Sequence, residues 1–299
     1  MALFKGAGVA LVTPMKENLQ VDFDKLAELL EDQIKNETDS IIITGTTGEA
    51  STLTEDEHLE VIRAAVSIVN KRIPVIAGTG SNCTRTAIDL SRRAQEAGVD
   101  GLLIVTPYYN KATQKGLISH YTQIAKCVDI PIILYNVPGR TGCKIAADTA
   151  AVLARDVEHI VGMKDAVGDI SYTLRLMEQT QGDFELYSGE DGQVIPLLAC
   201  GGIGVISVLS NVAPKFMHDM VMNYLNGKQK EALAMQWKAI PMVDALFCEV
   251  NPIPVKAAMN LMGWKTGPLR APLSEMEPEN LKRLAKAMQD FGISVPMPV

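Results

Sequence analysis

Eight short apolar segments recur along the chain, and stretches with helical periodicity alternate with them. Several of the segments are rich in β-branched residues, which is typical of strands that are covered on both faces. The predicted strands are residues 8–12, 40–44, 74–78, 101–105, 131–135, 160–164, 184–188 and 204–208. Strands and helices that alternate over short connectors predict an α/β fold, and eight such units predict a (β/α)8 TIM barrel. An open, doubly wound sheet is the structural alternative.

The alternation ends near residue 224, and the pattern after it is wholly helical. Helices are predicted at residues 214–226, 228–246, 254–262 and 277–291. The first of them would complete the barrel, and the other three would form a C-terminal helical extension. We therefore divide the chain into a barrel, residues 1–224, and a C-terminal helical domain, residues 225–299. Because no low-complexity linker separates the two, we expect the extension to pack on the barrel.

The overall charge and the cysteine pattern exclude several classes of function. The net charge of −7 argues against nucleic acid as a partner, because phosphate binding needs a basic face. No run approaches the ~20 apolar residues of a membrane-spanning helix, and the N-terminus does not resemble a signal peptide. The five cysteines are widely separated and include no C-x-x-C pair. They favour reduced thiols, and we expect a cytoplasmic protein.

Lys164 is the most informative single residue, because it ends the sixth predicted strand. The functional site of a TIM barrel lies at the C-terminal ends of its strands. A lysine buried there is desolvated, which lowers its pKa from about 10.4 and leaves a neutral amine that can form a Schiff base with a ketone. A strand-end lysine that simply reaches solvent is the plainer interpretation. Lys164 alone does not distinguish this interpretation from a Schiff-base lysine, so the other motifs of the chain are needed.

Hydroxyl groups and one guanidinium follow other predicted strands. Tyr135 ends the fifth strand, where a phenol can move protons for a Schiff base; Arg140 lies five residues later in a turn-rich segment suited to binding a carboxylate. The segment 45–49, G-T-T-G-E, can hold a carboxylate with hydroxyls and backbone N–H groups. A core tyrosine, a solvated arginine and a plain turn are the respective structural alternatives.

Two further pairs of residues follow strands. Tyr108 and Tyr109 follow the fourth strand, and in an extended segment one would face the site while the other packs or crosses an interface. Glu190 and Asp191 follow the seventh strand; they could form an acid/base pair, but charges in such a loop are usually solvated, and we interpret them as solvated. The four histidines are scattered without ligand-like spacing, so neither a metal nor another cofactor is predicted.

Taken together, these motifs resemble the dihydrodipicolinate synthase family over almost the whole chain. The segments that carry the resemblance are G-T-T-G-E at 45–49, V-T-P-Y-Y-N at 105–110, Y-N-V-P-G-R-T-G at 135–142, G-M-K-D at 162–165 and N-P-I-P-V-K at 251–256. The resemblance implies a lyase that condenses pyruvate with L-aspartate 4-semialdehyde on the route to diaminopimelate and lysine. It also implies a homo-oligomer, usually a homotetramer.

The resemblance assigns a role to each of seven residues. Lys164 matches the Schiff-base lysine and Tyr135 the proton-shuttling tyrosine. Thr46 and Tyr109 match the other members of a hydroxyl relay, in which the tyrosine matching Tyr109 comes from a neighbouring subunit. The remaining three residues match substrate contacts: Thr47 and the backbone of Ile206 for the pyruvate carboxylate, and Arg140 for the carboxylate of the aldehyde.

Some alternatives stay open on the sequence alone. Another Schiff-base lyase, such as N-acetylneuraminate lyase or a keto-deoxy sugar-acid aldolase, shares the barrel, lysine and tyrosine but generally lacks an arginine at the position of Arg140. A non-catalytic paralogue is expected to have lost the lysine or a relay hydroxyl, and this chain keeps both. Thr86 stands where lysine-inhibited members carry an acidic residue, so we expect feedback inhibition by lysine to be weak or absent.

Overall fold

Eight parallel strands form a closed barrel in chain order, in a computed structural model that describes residues 2–298. The predicted (β/α)8 barrel is therefore confirmed, and the open sheet is excluded. The strands are β1 Gly6–Ala10, β2 Ser40–Ile43, β3 Val75–Gly78, β4 Gly101–Val105, β5 Ile132–Asn136, β6 Ile160–Asp165, β7 Glu185–Ser188 and β8 Gly204–Ser207. The barrel closes where β1 pairs with β8.

Twelve α-helices accompany the strands within the described residues. Those of the barrel are α1 Phe23–Lys35, α2 Glu55–Val69, α3 Thr84–Ala97, α4 Gln114–Ala125, α5 Pro138–Thr141, α6 Ala147–Asp156, α7 Ile170–Gln179, α8 Val194–Ala199 and α9 Pro214–Leu225. The C-terminal extension contains α10 Gln229–Leu246, α11 Ile253–Leu261 and α12 Pro278–Phe291. Across residues 2–298, every helix is too short or too polar to span a bilayer.

The first strand lies two residues earlier than predicted. Gly6 pairs with Gly204 of β8, whereas the N–H of Val12 donates to Oδ1 of Asn211 rather than to a strand carbonyl. Leu11 and Val12 are nevertheless fully buried. The apolar run thus continues beyond the end of the ladder, and composition alone does not mark where the pairing stops.

Two apolar clusters fill the molecule. One lies inside the barrel, where Phe4, just before β1, stacks on Tyr187 with ring centres 4.4 Å apart. Tyr135 belongs to this cluster, so the barrel interior beneath the C-terminal mouth is apolar. The larger cluster joins strands and surrounding helices, and residues of α10 and α12 such as Leu246 and Leu284 belong to it. The extension therefore packs on the barrel as expected, while the boundary between residues 224 and 225 stays a prediction.

Candidate active site

Lys164 and Tyr135 are direct neighbours in the barrel wall. They are register partners on β6 and β5, and neighbours in register present their side chains to the same face of a sheet. The Nζ atom of Lys164 lies 4.4 Å from the centre of the Tyr135 ring. The two side chains are 6% and 8% exposed, so both lie buried at the end of their strands.

Burial changes the protonation of both groups. It lowers the pKa of Lys164 to about 8, although the carboxylates of Asp191 and Glu190 act in the opposite direction. Burial also raises the pKa of Tyr135 to about 12, so the phenol keeps its proton at neutral pH. The barrel mouth thus holds an amine that releases its proton near physiological pH beside a phenol that can donate one.

The segment 45–49 forms a loop after β2 that presents two hydroxyl groups. Thr46 is exposed, whereas Thr47 is 3% exposed. Oγ1 of Thr47 accepts a hydrogen bond from Nδ2 of Asn251 at 2.9 Å, which leaves the hydroxyl hydrogen of Thr47 free to donate elsewhere. The loop is also fixed from beneath, because Oγ1 of Thr13 donates to the carbonyl of Gly48 at 2.6 Å.

Arg140 lies on a short helix rather than in an irregular loop, which corrects the sequence interpretation. This helix, α5, has Pro138 in its first turn and ends at Gly142, whose φ is +66°. Proline at the start and glycine after the end are ordinary helix signals, and they could have identified α5. Arg140 is exposed, and its Nη2 donates to the carbonyl of Asn251 at 3.4 Å.

Asn251 is a site residue to which the sequence reasoning assigned no role. It precedes α11 in the C-terminal extension and is 5% exposed. It contacts both Thr47, through its side chain, and Arg140, through its backbone. Its only sequence signal is its place in the N-P-I-P-V-K motif, since nothing local indicates that the extension reaches the barrel mouth.

A cavity of about 470 Å³ opens at the C-terminal end of the barrel. It brings together three of the predicted site residues, namely Thr46, Tyr135 and Arg140. The remaining lining residues include His58, Thr86 and Tyr108. Lys164, Thr47 and Ile206 do not line this cavity, and each is less than 7% exposed. Lys164 and Ile206 lie on strands β6 and β8, whereas Thr47 lies in the loop after β2.

Tyr109 is separated from the other predicted site residues. It is 92% exposed, whereas its neighbour Tyr108 is 38% exposed and lines the cavity. The two side chains diverge as expected, but the expected extended backbone is wrong, because the φ of Tyr109 is +67°. A left-handed conformation at a bulky residue costs free energy and indicates a local constraint. Tyr109 therefore cannot serve the site of its own chain from this position.

The interpretation of Asp191 as a solvated loop charge is wrong. Asp191 is 2% exposed, and its Oδ2 accepts hydrogen bonds from the N–H groups of Val208 and Leu209 at 2.9 and 2.8 Å. The chain turns back after β7 and places this carboxylate against the end of β8, where backbone donors need acceptors. Burial raises the pKa of Asp191.

One group of side chains has the spacing of a metal site among residues 2–298. It consists of Glu37, His218 and Asp219. Nζ of Lys215 contacts both carboxylates, at 3.0 and 2.9 Å, so the two acidic groups already share a cation of the protein. The group includes none of the predicted site residues.

Comparisons with known proteins agree with the fold and with the motifs. The sequence model described as the dihydrodipicolinate synthetase family matches residues 3–291. The 4-hydroxy-tetrahydrodipicolinate synthase of Lachnoclostridium phytofermentans is 57% identical over 293 residues, which cover 98% of this chain and 100% of that protein. The family resemblance inferred from the sequence is therefore confirmed.

Solved structures of the same enzyme type superimpose over nearly the whole chain. The chloride-inhibited dihydrodipicolinate synthase from Acinetobacter baumannii, complexed with pyruvate, has a TM-score of 0.94 and 44% identity, covering 97% of this chain and 99% of that one. The enzyme from Cyanidioschyzon merolae with lysine bound has a TM-score of 0.96 and 39% identity, covering 98% and 100%.

The charge of Asp191 provides a test of the electrostatics around Lys164. A neighbouring carboxylate favours the ammonium form, so Asp191→Asn should move the pKa of Lys164 below about 8. The titration is followed by NMR of lysines labelled with ¹³C at the ε-carbon, and the Lys164 signal is assigned by its loss in Lys164→Ala. Asp244→Asn, on an exposed part of α10, is the matched control and should leave that pKa unchanged. A Lys164 that titrates near 10.5 in the parent chain would contradict the expected desolvation.

Proposed function

The chain belongs to the dihydrodipicolinate synthetase family, and we propose that Lys164 is the amine through which it performs the condensation. The enzyme is a lyase of the class I aldolase type that acts as a 4-hydroxy-tetrahydrodipicolinate synthase. Its substrates are pyruvate and L-aspartate 4-semialdehyde. The observation that carries the proposed role of Lys164 is its burial beside Tyr135 at the C-terminal end of the barrel, with a pKa lowered to about 8.

The first half of the reaction forms the Schiff base. The neutral amine of Lys164 attacks the keto carbon of pyruvate, and a C–N bond forms as the carbonyl oxygen takes up a proton. The phenol of Tyr135 then gives a proton to the hydroxyl group, which leaves as water and generates an iminium ion. Since the pKa of Tyr135 is about 12, its phenolate is a strong base that readily regains the proton. Thr46 and a Tyr109 from a second chain pass that proton between Tyr135 and solvent.

The second half forms the carbon–carbon bond and releases the product. The iminium ion withdraws electrons, so the former methyl group of pyruvate loses a proton and an enamine forms. The enamine carbon attacks the aldehyde carbon of the semialdehyde, whose oxygen takes up a proton to become the 4-hydroxyl group. The amino group of the same substrate then attacks the iminium carbon, the bond to Lys164 breaks, and the ring closes. One molecule of water is released overall.

Two carboxylate sites orient the substrates. We assign the pyruvate carboxylate to the hydroxyl of Thr47 and the backbone of Ile206, and the carboxylate of the semialdehyde to Arg140. The hydrogen bond that Thr47 accepts from Asn251 supports the first assignment, because it leaves the threonine hydrogen available for an anion. The position of Arg140 supports the assignment of the semialdehyde carboxylate, because Arg140 lines the cavity through which the semialdehyde would enter. Sugar-acid aldolases, the alternative function, generally lack this arginine.

The position of Tyr109 supports an oligomeric enzyme. A tyrosine that is 92% exposed and held in a left-handed conformation is suited to insertion into a partner. We propose that two copies exchange Tyr109 across a two-fold contact, so that each completes the relay of the other. A homotetramer built from two such dimers stays a prediction.

Chemical trapping tests the proposed role of Lys164. Borohydride added in the presence of pyruvate should reduce the Schiff base and raise the mass of the Lys164 peptide by one pyruvate less one oxygen atom. Lys164→Ala should acquire no such adduct and should lose essentially all activity on L-aspartate 4-semialdehyde. Lys256 is the internal control, since it is also buried but should remain unmodified. An unmodified Lys164 peptide in the parent chain would refute the proposal.

Complementation tests the exchange of Tyr109. Tyr109→Phe and Lys164→Ala should each be inactive as homo-oligomers, while their mixed dimer contains one complete site. Because half of the randomly formed dimers are mixed and each of these has one working site of two, co-expression should restore about a quarter of the parental activity. Purification through two different affinity tags isolates the mixed dimers. If these dimers are as inactive as both parents, Tyr109 does not act across the interface.

Inhibition by L-lysine tests the consequence of Thr86. Thr86 lines the cavity without offering a carboxylate for an ammonium group, so millimolar L-lysine should inhibit the parent enzyme little. Thr86→Glu should create measurable inhibition, because it adds a carboxylate to the cavity wall. Gln95→Glu is the matched control, since it adds the same single negative charge on α3 at a position that does not line the cavity. Strong inhibition of the parent enzyme would show that the expectation is wrong.

A further inference from the structure

Lys256 and Glu49 form an ion pair that the proposed reaction does not use. Their Nζ and Oε1 atoms are 2.8 Å apart, and the side chains are 1% and 0% exposed. Among the ion pairs within residues 2–298, it is the one whose two partners are both fully buried. Removing two charges from water is costly, and a buried pair is often no more stabilising than apolar residues of similar size. Stability alone is therefore a weak reason for its presence.

The hydrogen bonds of Lys256 tie three separate segments together. Besides Glu49, its Nζ donates to the carbonyl of Thr13 at 3.2 Å and to that of Pro268 at 2.7 Å. These three acceptors satisfy all three N–H donors of the ammonium group. The second carboxylate oxygen of Glu49, Oε2, accepts a hydrogen bond from the backbone N–H of Arg270 at 3.1 Å. Lys256, Pro268 and Arg270 lie in the C-terminal extension, whereas Thr13 and Glu49 lie at the barrel mouth.

Glu49 is the last residue of the 45–49 loop, and its backbone is in the left-handed region with a φ of +55°. A non-glycine residue held there requires support from its surroundings. The backbone N–H of Glu49 donates to the carbonyl of Thr46 at 3.1 Å, so the position of Glu49 fixes the turn that presents the loop hydroxyls. Thr13 contributes to the same support, because its side chain bonds Gly48 while its carbonyl accepts from Lys256.

We propose that Lys256 and Glu49 are positioning residues, which hold the hydroxyls of Thr46 and Thr47 where the pyruvate carboxylate and the relay need them. The inference rests on the proposed function of that loop. It assigns a task in the reaction to the C-terminal extension, since the anchoring amine comes from α11. Misplacing a binding group by about 1 Å can reduce a rate by up to a hundredfold, so a modest shift of the loop is sufficient for a measurable effect.

The test separates loop position from stability. Glu49→Gln leaves an unpaired buried ammonium group, and Lys256→Met leaves an unpaired buried carboxylate, so both single variants should be strongly destabilised. The double variant removes both charges, while the glutamine oxygen can still accept from Arg270. We expect the double variant to recover most of the lost Tm but to keep a KM for pyruvate raised about tenfold, with a smaller change in kcat.

A conservative variant and a matched control complete the design. Glu49→Asp keeps the negative charge but shortens the side chain by one methylene group, which moves the carboxylate away from Lys256. This variant should fold and should also raise the KM for pyruvate. Leu284→Ala, a fully buried change on α12, should lower Tm without changing that KM. The proposal is overturned if the double variant and Glu49→Asp both bind pyruvate within twofold of the parent, or if Leu284→Ala raises the KM to the same extent.

The trapping experiment distinguishes failure of this inference from failure of the proposed function. A parent enzyme that forms no pyruvate adduct at Lys164 would refute the function itself. A parent enzyme that forms the adduct, together with variants whose KM is unchanged, would refute only the positioning role.

Discussion

Desolvation of Lys164 is the constraint on which the site depends. Its pKa falls from 10.5 to about 8, which corresponds to roughly 3 kcal/mol against the ammonium form. The unfolded chain keeps this proton up to about pH 10.5, while the folded chain releases it near pH 8. The unfolded state therefore binds more protons between these values, and stability rises with pH there. At neutral pH, below both values, the fold carries nearly the full penalty, but a much larger fraction of the folded amine than of a solvated lysine is neutral and available for reaction.

The C-terminal extension takes part in the site as well as in the core. Asn251 contacts Thr47 and Arg140, which are the residues proposed for the two carboxylates, and Lys256 anchors the loop that contains Thr47. Within the barrel, the hydroxyl of Thr13 already donates to the carbonyl of Gly48, and the extension adds the hydrogen bonds of Asn251 and Lys256 to the same loop. The extension thus supplies rigidity at the mouth, where catalysis requires preorganised groups.

The sequence predicts the features that arise from local patterns, and it predicts poorly those that arise from packing. Period and composition identify the eight strands and the helices between them, and the strand-end rule leads directly to Lys164 and Tyr135. The sequence does not reveal that Asp191 is buried, because its burial depends on how the chain turns back after β7 onto the end of β8. Nor does it reveal the contacts that Asn251 makes with Thr47 and Lys256 with Glu49, partners that lie 204 and 207 residues earlier.

The exposure and the backbone strain of Tyr109 are unfavourable in a single chain, and they support the proposal that this residue acts in an oligomer. A fully exposed aromatic side chain adds little to the stability of one subunit, and its left-handed backbone adds strain. Both costs are offset only if the side chain is buried elsewhere, and the adjacent cavity already receives Tyr108. In the proposed dimer a second copy, related by a two-fold axis, would bury this side chain, so that the same strained loop would serve both sites. Assembly would then be a condition of catalysis, because neither chain would contain the complete proposed relay by itself.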